Sequence, residues 1–324
     1  MSSAGDNTYQ QMKKIIYKQF GNADVLQMAE FANPLVTETT ILIKVKAVSI
    51  NPLDWKIMNG EMKLMAGSKF PRGTGIDFSG IIEEVGNSIE KYKKGDEVFG
   101  LLDVFKGAAL SEYILVNERD ISLKPRGISF EEAAAAPVVG SAALQIINTL
   151  VDIHNGSEVL INGASGGIGM FAIQIAKMKG AMVTAVVSNS ALRAVKDWGA
   201  TYAVDYQAVD VLKENKHYDV VIDLSNQMSF SAAKRIMKAS SVYVHTAPGP
   251  KEIISSFFVN LISGKKFKVL MLKPAPAYLT ELTTYIEQGL AIAISNTYPL
   301  TSFREAYMEV KHGHIIGKAV IVVG

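Results

Sequence analysis

The stretch "VLINGASGGIGMFAIQIAK" at residues 159–177 decides the fold of this chain. It begins with apolar, β-branched residues, breaks into glycines and continues with apolar residues at helical spacing. This pattern predicts a buried strand, a tight turn and a helix. The turn has two interpretations. It binds an anionic ligand at the start of the helix, or it only allows the strand and helix to pack closely.

The glycines in this turn suit a dinucleotide pyrophosphate. Gly163, Gly166 and Gly169 form the spacing G-x-x-G-x-x-G, and Gly167 is a further glycine. Glycines let the backbone turn sharply and approach a phosphate without an intervening Cβ. The helix start supplies unpaired N–H groups and a partial positive charge for the anion. We therefore count all four glycines, the hydroxyl of Ser165 and the intervening Ile168 as candidate cofactor-binding residues, with the packing turn as the alternative.

Residues 126–289 alternate between strands and helices around this stretch. We predict six strands, near 158–162, 182–187, 202–204, 219–223, 242–246 and 267–271. Helices are predicted between most of them, at 168–179, 191–198, 230–237 and 253–262. An earlier helical segment from Ser129 is expected to break at Pro137 and resume near Ser141. Apolar strands alternating with helices predict a doubly wound parallel sheet, and six is the strand count of a complete dinucleotide-binding fold.

The remainder of the chain has a different character. Residues 13–125 contain short β-branched stretches separated by Gly, Pro and Asn, which predicts a small barrel or folded sheet. Residues 290–324 are predicted to form a helix, a glycine turn and a last strand that returns to this first domain. Residues 1–12 are polar and are predicted to be a disordered leader.

The end of the second predicted strand distinguishes between the two nicotinamide dinucleotides. An Asp or Glu about 20 residues after the glycines would hydrogen-bond the ribose 2′-hydroxyl of NAD. Here the neutral Ser188 and Asn189 follow the strand, and Arg193 comes shortly after. These residues accept a 2′-phosphate, so the sequence favours NADPH. The same residues also suit a capped helix start, and both roles are compatible.

Composition excludes several classes of function. The chain has 324 residues, 48% of them hydrophobic, a formal charge of +2 and no cysteine. Disulfides, thiolate nucleophiles and cysteine-ligated zinc are therefore excluded. No dense basic run with interleaved aromatics occurs, so we predict no nucleic-acid partner. The longest apolar stretch, residues 133–151, contains Pro, Gly and amide residues, and the first residues are polar. We therefore predict no membrane partner and a cytoplasmic protein.

Several stretches in the same order resemble the medium-chain dehydrogenase/reductases, and more closely their zinc-free quinone oxidoreductase branch, which includes zeta-crystallin and the enone and alkenal reductases. The matching stretches are "AVSINPLDWKI" (47–57), "FPRGTGIDFSGIIEEVG" (70–86), "YKKGDEVFG" (92–100), "AAAAPVVGSAALQ" (133–145), the glycine stretch above, "GATYAVDY" (199–206) and "GKAVIVV" (317–323). The resemblance implies a GroES-like β-barrel catalytic domain beside a Rossmann domain. It also implies a homodimer and hydride transfer from NADPH to a quinone or an α,β-unsaturated carbonyl.

The resemblance further implies that zinc is not used. Metal-dependent members place a cysteine at the position of Asn51 and a His-Glu pair at Ile76 and Asp77. Without a metal, the acceptor oxygen that gains negative charge needs a hydrogen-bond donor or a cation. The "NPLDWK" stretch offers Asn51 as a donor, Lys56 as a cation or proton source and Asp54 as an orienting group. A turn at Asn-Pro, a helix cap at Asp54 and a solvated Lys56 are the structural alternatives.

Further cofactor-binding candidates follow from the strand ends and from the resemblance. In open α/β sheets, ligands lie at the carboxyl ends of the strands. This rule selects Leu224 and Ser225 near the adenosine, and Thr246 and Pro248 near the nicotinamide. The resemblance carries Tyr206 to the 2′-phosphate region, with a buried tyrosine as the alternative. Lys318 is a further candidate for a phosphate, although a basic residue is also common at the start of an edge strand.

Two other functions stay open. A thioester enoyl reductase would need a basic patch for a carrier phosphate, for which Lys265, Lys266 and Lys268 are candidates. Alternatively, the chain binds NADPH in a structural or regulatory role with little turnover, because the catalytic residues of a zinc-free reductase are sparse.

Overall fold

The computed structural model describes residues 11–273, 275–313 and 315–324. Their contacts divide the chain into two compact units. The first contains the chain up to Pro137 together with Asn296–His314 and Ala319–Gly324, and the second contains Val138–Ser295 with Ile315–Lys318. Most of the predicted leader, 1–12, lies outside the described residues, but residues 11 and 12 already belong to a strand.

The first unit is rich in strands, as predicted. Its elements up to residue 137 are β1 (Gln11–Tyr17), β2 (Gln27–Ala32), β3 (Thr40–Ser49), α1 (Pro52–Met58), α2 (Lys63–Ala66), β4 (Arg72–Gly73), β5 (Asp77–Val85), β6 (Glu97–Leu101), β7 (Tyr113–Asn117), β8 (Ile121–Leu123) and α3 (Phe130–Ala134). Helix α3 packs against β3, β5 and β6. The structure therefore places residues 126–137 in the first unit, whereas the sequence analysis began the second domain at residue 126.

The second unit alternates strand and helix. Its elements are α4 (Pro137–Gln145), β9 (Glu158–Asn162), α5 (Gly167–Met178), β10 (Met182–Val187), α6 (Leu192–Asp197), β11 (Tyr202–Asp205), β12 (Tyr218–Asp223), α7 (Phe230–Ala233), β13 (Met237–His245), α8 (Pro250–Ile262), β14 (Lys266–Val269) and α9 (Pro276–Glu287). The sheet order is β11-β10-β9-β12-β13-β14, and every pairing is parallel. This order is typical of a doubly wound dinucleotide fold, so the predicted fold class is confirmed.

The last segment completes the sheet of the first unit. Strand β15 (Ile294–Pro299), helix α10 (Phe303–His312) and strand β16 (Lys318–Val322) end the chain. The larger sheet has the order β15-β16-β3-β5-β6-β8, with β7 paired to β3, and the smaller sheet has the order β2-β1-β4. Strand β16 pairs antiparallel with β3, with Val320 opposite Ser49. The last strand therefore returns to the first unit, as the sequence predicts.

Two predicted boundaries differ from the structure. Helix α4 begins at Pro137 itself rather than near Ser141, because proline is well suited to the first position of a helix. Helix α7 is a single turn, and β13 begins at Met237 rather than at Val242. The buried side chain of Met237 joins the hydrophobic cluster beneath the sheet and holds this early part of the strand. Small polar residues after Met237 hide the strand in the sequence.

Within the described part of the chain, no helix combines the length and apolar character needed to span a bilayer.

Candidate functional site

The carboxyl end of the parallel sheet brings the predicted cofactor residues of the second unit to one edge. Gly163, Ser188, Tyr206, Leu224 and Thr246 each directly follow a strand of this sheet. Backbone hydrogen bonds join these strand ends. The N–H of Gly163 donates to Val186 O at 3.0 Å, that of Tyr206 to Val187 O at 3.0 Å and that of Leu224 to Asn162 O at 2.9 Å. Four strand ends therefore form one continuous rim.

The glycine turn has the shape of a phosphate cradle. Gly163 has φ +73°, which favours glycine, and a Cβ there would meet Ser225 N at 2.9 Å. A Cβ on Gly169 would lie 2.2 Å from the carbonyl oxygen of Ala164, so helix and turn pack closely there. A Cβ on Gly166 would meet nothing within 4 Å. The turn is therefore closed against the protein at two glycines and open at the third.

Helix α5 presents its N-terminus at this opening. Gly166 is its N-cap and no side chain caps the helix, so the first-turn N–H groups are available to an anion. The partly exposed Ser165 and Ile168 flank the opening. The carbonyl of Ser165 accepts the N–H of Gly317 at 2.8 Å, which fixes the turn to the start of β16. The residues present fit a dinucleotide pyrophosphate.

Lys318 lies beside the same helix start. Its side chain is buried, 4% exposed, and a Cβ on Gly167 would meet its Cδ at 2.8 Å. The cationic side chain of Lys318 therefore packs against the first turn of α5.

The predicted 2′-phosphate residues lie at the ends of β10 and β11. Ser188 Oγ is 3.0 Å from Ser190 Oγ, and Asn189 is exposed. The Arg193 side chain is 95% exposed, and its Nε lies 3.8 Å from the exposed Asp197 carboxylate, an ion pair of little strength. Tyr206 is 51% exposed, so the alternative of a buried tyrosine is wrong.

A buried carboxylate that the sequence analysis did not select lies below the rim. Asp223 is fully buried and its carboxylate accepts from four groups: Asn162 Nδ2 at 2.9 Å, Ser225 N at 3.2 Å, Ser225 Oγ at 2.7 Å and Met228 N at 3.1 Å. Its backbone carbonyl also accepts the Thr246 hydroxyl at 3.0 Å. Asp223 therefore holds the residue before the glycine turn and the loop after β12. A polar residue ending an otherwise apolar strand is the signal that could have revealed it.

The Asp223 carboxylate also lies close to Tyr243 and His245. Burial raises the pKa of Tyr243, and the nearby Asp223 raises it further. The Tyr243 hydroxyl therefore stays protonated and donates to the carbonyl of Met228. His245 Nδ1 lies 3.9 Å from the carboxylate. The loop after β12 is thus held by both Asp223 and Tyr243, and these contacts position Leu224 and Ser225. Pro248, which follows β13, is partly exposed.

The predicted catalytic residues lie in the first unit, at the start of α1. Asn51 is 1% exposed, and its Nδ2 donates to Asp77 Oδ2 at 2.9 Å. The hydroxyl of Ser49 donates to the same oxygen at 2.9 Å. Asp54 accepts the N–H of Asn51 at 2.7 Å. Asn51 is the N-cap of α1, and Asp54 takes part in the cap as the third residue of a capping box rather than as the cap itself. The ammonium of Lys56 lies 5.7 Å from the centre of the Trp55 ring, a cation–π contact.

A small cleft lies in the first unit, next to α1. Asp54, Tyr17, Arg72, Thr74 and Phe105 are among the residues that line it. The Arg72 guanidinium donates to three backbone carbonyls and is held in place by them. Burial raises the pKa of Tyr17, an effect that Arg72 opposes. The cleft therefore presents a neutral phenol and a fixed cation.

The glycine turn at the rim of a six-stranded parallel sheet defines a dinucleotide-binding protein, and comparisons with known proteins give its family. A model described as "Alcohol dehydrogenase GroES-like domain" matches residues 37–126, and one described as "Zinc-binding dehydrogenase" matches residues 198–321. A chloroplastic quinone-oxidoreductase homolog of Spinacia oleracea is 30% identical over 96% of this chain and 98% of its own. A 2-methylene-furan-3-one reductase of Solanum lycopersicum is 30% identical over 96% of this chain and 79% of its own.

A solved structure agrees with these relatives. The quinone oxidoreductase from Coxiella burnetii has a TM-score of 0.88 and 29% identity, covering 97% of this chain and 100% of that one. The chain belongs to the medium-chain dehydrogenase/reductase superfamily, in its quinone oxidoreductase branch. It is an NAD(P)H-dependent oxidoreductase.

The matched family description implies zinc, and the residues present do not fit this metal. The chain has no cysteine. Ile76 has no ligating atom, and Asn51 and Asp77 hydrogen-bond each other. Among the described residues, no group of three or more His, Cys, Asp or Glu side chains is arranged to hold a metal. We derive no step through zinc.

Proposed function

We propose that this protein transfers hydride from NADPH to quinones or α,β-unsaturated carbonyls without zinc. The observation that supports this most directly is the open glycine turn at the uncapped N-terminus of α5, in a chain whose residues do not fit the family's metal. When bound, NADPH supplies a hydride from nicotinamide C4 to an electrophilic carbon of the acceptor. The remaining chemistry belongs to residues of this chain.

The second unit binds and orients the cofactor in this proposal. The first-turn N–H groups of α5 and the Ser165 hydroxyl take the pyrophosphate, and Gly166 leaves room for it. Leu224 and Ser225 lie along the adenosine half, and Thr246 and Pro248 along the nicotinamide half. Lys318 adds positive charge beside the helix start.

We propose NADPH rather than NADH as the preferred donor. No acidic side chain follows β10, where a carboxylate would bind the 2′-hydroxyl of NADH and repel a 2′-phosphate. Ser188, Asn189 and Tyr206 supply neutral hydrogen-bonding groups there, and Arg193 supplies the charge. Because Arg193 is almost fully exposed, it can turn to a phosphate without breaking a buried contact.

Replacing Arg193 with alanine is expected to raise the Kd for NADPH about tenfold and to leave the Kd for NADH unchanged. A charge-assisted hydrogen bond contributes about 1.5 kcal/mol, and 1.4 kcal/mol corresponds to a factor of ten. Nicotinamide fluorescence titration gives both constants, and the wild type is expected to bind NADPH at least about tenfold more tightly than NADH for the same reason. Arg235→Ala, another exposed arginine of the second unit, is the control. Equal losses for both nucleotides would contradict the assignment.

The first unit supplies the groups that act on the acceptor in this proposal. An oxygen of the acceptor gains negative charge as hydride arrives, and a positioned donor stabilises that charge. The proposed donors are Lys56 on α1 and the Asn51 amide directly before this helix, which also donates to Asp77. Asp54 acts as a positioning residue through its bond to the Asn51 N–H. The small cleft beside α1 adds the polar groups of Tyr17 and Arg72 to this region.

The oxidation of NADPH with a panel of acceptors tests the proposed function. A para-quinone, an ortho-quinone, a linear alkenal, a cyclic enone and an enoyl-CoA are assayed with EDTA throughout, and kcat/KM is compared. We expect turnover with at least one quinone or enone, and values for enoyl-CoA at least about tenfold lower. The ammonium groups of Lys265 and Lys266, two of the candidates for a carrier phosphate, already donate to backbone carbonyls. NADPH binding without oxidation by any acceptor would instead support the structural or regulatory role. Highest turnover with the enoyl-CoA would support the thioester reductase.

The homodimer and the cytoplasmic location predicted from the sequence stay predictions, and they form part of this proposal.

A further inference from the structure

Asp77 is a fully buried carboxylate of the first unit. It begins β5, which lies between β3 and β6 in the larger sheet. Its backbone is paired with Ser49 of β3 on one side and with Leu101 of β6 on the other. The sheet therefore fixes the position of this carboxylate from two directions.

One oxygen of Asp77 accepts two side-chain hydrogen bonds. Ser49 Oγ and Asn51 Nδ2 both donate to Asp77 Oδ2, each at 2.9 Å. Both donor residues are themselves buried. An ionised carboxylate is costly to bury unless it is hydrogen-bonded, and hydrogen bonds to a charged acceptor are about twice as strong as those between neutral groups. The contact between Asp77 and Asn51 is therefore a strong one.

Asn51 is held at two points by two carboxylates. Its backbone N–H donates to Asp54 Oδ2 at 2.7 Å, and its side-chain amide donates to Asp77. A side-chain amide has an acceptor oxygen on one side and a donor nitrogen on the other. Because an ionised carboxylate only accepts hydrogen bonds, Asp77 selects the amide orientation in which the nitrogen faces it. The second N–H of this planar group then has a fixed direction as well.

We propose that Asp77 is a positioning residue that orients the Asn51 amide toward the acceptor. The inference rests on the proposed function, in which this amide stabilises negative charge on the acceptor oxygen. Since its side chain is fully buried, Asp77 acts through Asn51 rather than on the acceptor itself. A donor that is misplaced by about 1 Å can lower the rate about a hundredfold. The alternative is a purely structural role, in which Asp77 only ties β5 to the start of α1.

A double-mutant cycle separates these two roles. The kcat and KM of D77A, N51A and D77A/N51A are measured with NADPH and the best acceptor of the panel above. We expect D77A and N51A each to lower kcat about a hundredfold, and the acceptor KM of D77A to stay nearly unchanged. The double variant is expected to have the kcat of N51A, because Asp77 has no amide left to orient. A structural role predicts that the two losses multiply instead.

Two further variants complete the cycle. D77N keeps the size of the side chain and an oxygen that accepts from Asn51, so its kcat is expected to fall by about tenfold or less. This loss is also expected to vanish in the N51A background, which decides the question if D77A does not fold. S79A is the matched control, because Ser79 is a buried residue of the same strand that donates to Phe130 O at 2.6 Å. It is expected to lower the Tm and to keep the wild-type kcat.

Nuclear magnetic resonance of the ¹⁵N-labelled protein tests the orientation without turnover. The side-chain N–H signals of Asn51 are assigned by their absence in N51A. We expect D77A to move them toward the position of an exposed asparagine, and S79A to leave them in place. Unchanged signals in D77A, or losses in kcat that multiply in the double variant, would overturn the inference. If the wild type oxidised NADPH with no acceptor, the proposed function would fail, and the Asn51 signals would still show whether Asp77 orients the amide.

Discussion

The Gly166→Val variant is expected to bind NADPH about a hundredfold more weakly than the wild type, while its Tm without cofactor stays nearly unchanged. The loss corresponds to about 3 kcal/mol, the contribution of two charge-assisted hydrogen bonds to the helix N-terminus. A Cβ at residue 166 would meet no heavy atom of a non-neighbouring residue within 4 Å, so we expect the fold to tolerate a small side chain there. It would instead occupy the space that the pyrophosphate needs. The backbone at Gly166, with φ −81° and ψ 179°, also suits valine.

Fluorescence titration and thermal unfolding on the same samples measure the two effects of this substitution. Gly169→Ala is the matched comparison in the same turn. Its Cβ would lie 2.2 Å from Ala164 O, so it is expected to destabilise the cofactor-free protein by about 1–3 kcal/mol. If Gly166→Val bound NADPH normally, the turn would be a packing turn and the cofactor site would be elsewhere.

The Asp223→Ala variant is expected to lose about 3 kcal/mol of unfolding free energy and to bind NADPH more weakly. Removing the carboxylate takes an acceptor from the partly buried donors of Asn162 and Ser225 and from the buried Met228 N–H. A buried donor left unsatisfied costs about 1–3 kcal/mol before relaxation. The loop after β12 would then lose the contacts that hold it. This loop contains Asn226 in a left-handed conformation, φ +59°, which depends on its surroundings.

Urea unfolding of the cofactor-free protein measures the stability change at Asp223. Asp219→Ala changes another carboxylate of the same strand, which accepts from Lys238 and from the Glu158 N–H but is partly exposed. Its expected cost is about 1 kcal/mol or less, because exposed ion pairs contribute little. If both variants lost similar unfolding free energy, the burial of Asp223 would not be what makes its carboxylate important for stability.

The sequence predicted the second unit in detail because its signals are local. Alternating apolar runs gave all six strands, and the glycines gave the turn before α5. The early start of β13 was missed because Met237 is held by packing, while the four residues that follow it, Lys-Ala-Ser-Ser, lack β-branched and aromatic side chains. The start of α4 was misplaced because proline was interpreted as a break, although it also begins helices.

For the same reason, only part of the candidate site could be predicted from the sequence. The absence of cysteine and the isoleucine at position 76 showed from the sequence that a zinc site does not fit. Two buried carboxylates were not selected as site residues. Asp77 accepts hydrogen bonds from Ser49 and Asn51, and Asp223 accepts one from Asn162. Asn162 and Asp223 are 61 residues apart in the chain, and a periodic pattern holds no information about such a pair.

The class of fold, the glycine turn, the absence of cysteine ligands for zinc and the family resemblance all follow from the sequence, because periodicity, glycine spacing and residue type act within a few residues of the chain. Which glycines of the turn face open space and which carboxylates are buried became clear only in the folded chain. These properties depend on what packs against each residue, and packing partners come from distant parts of the chain.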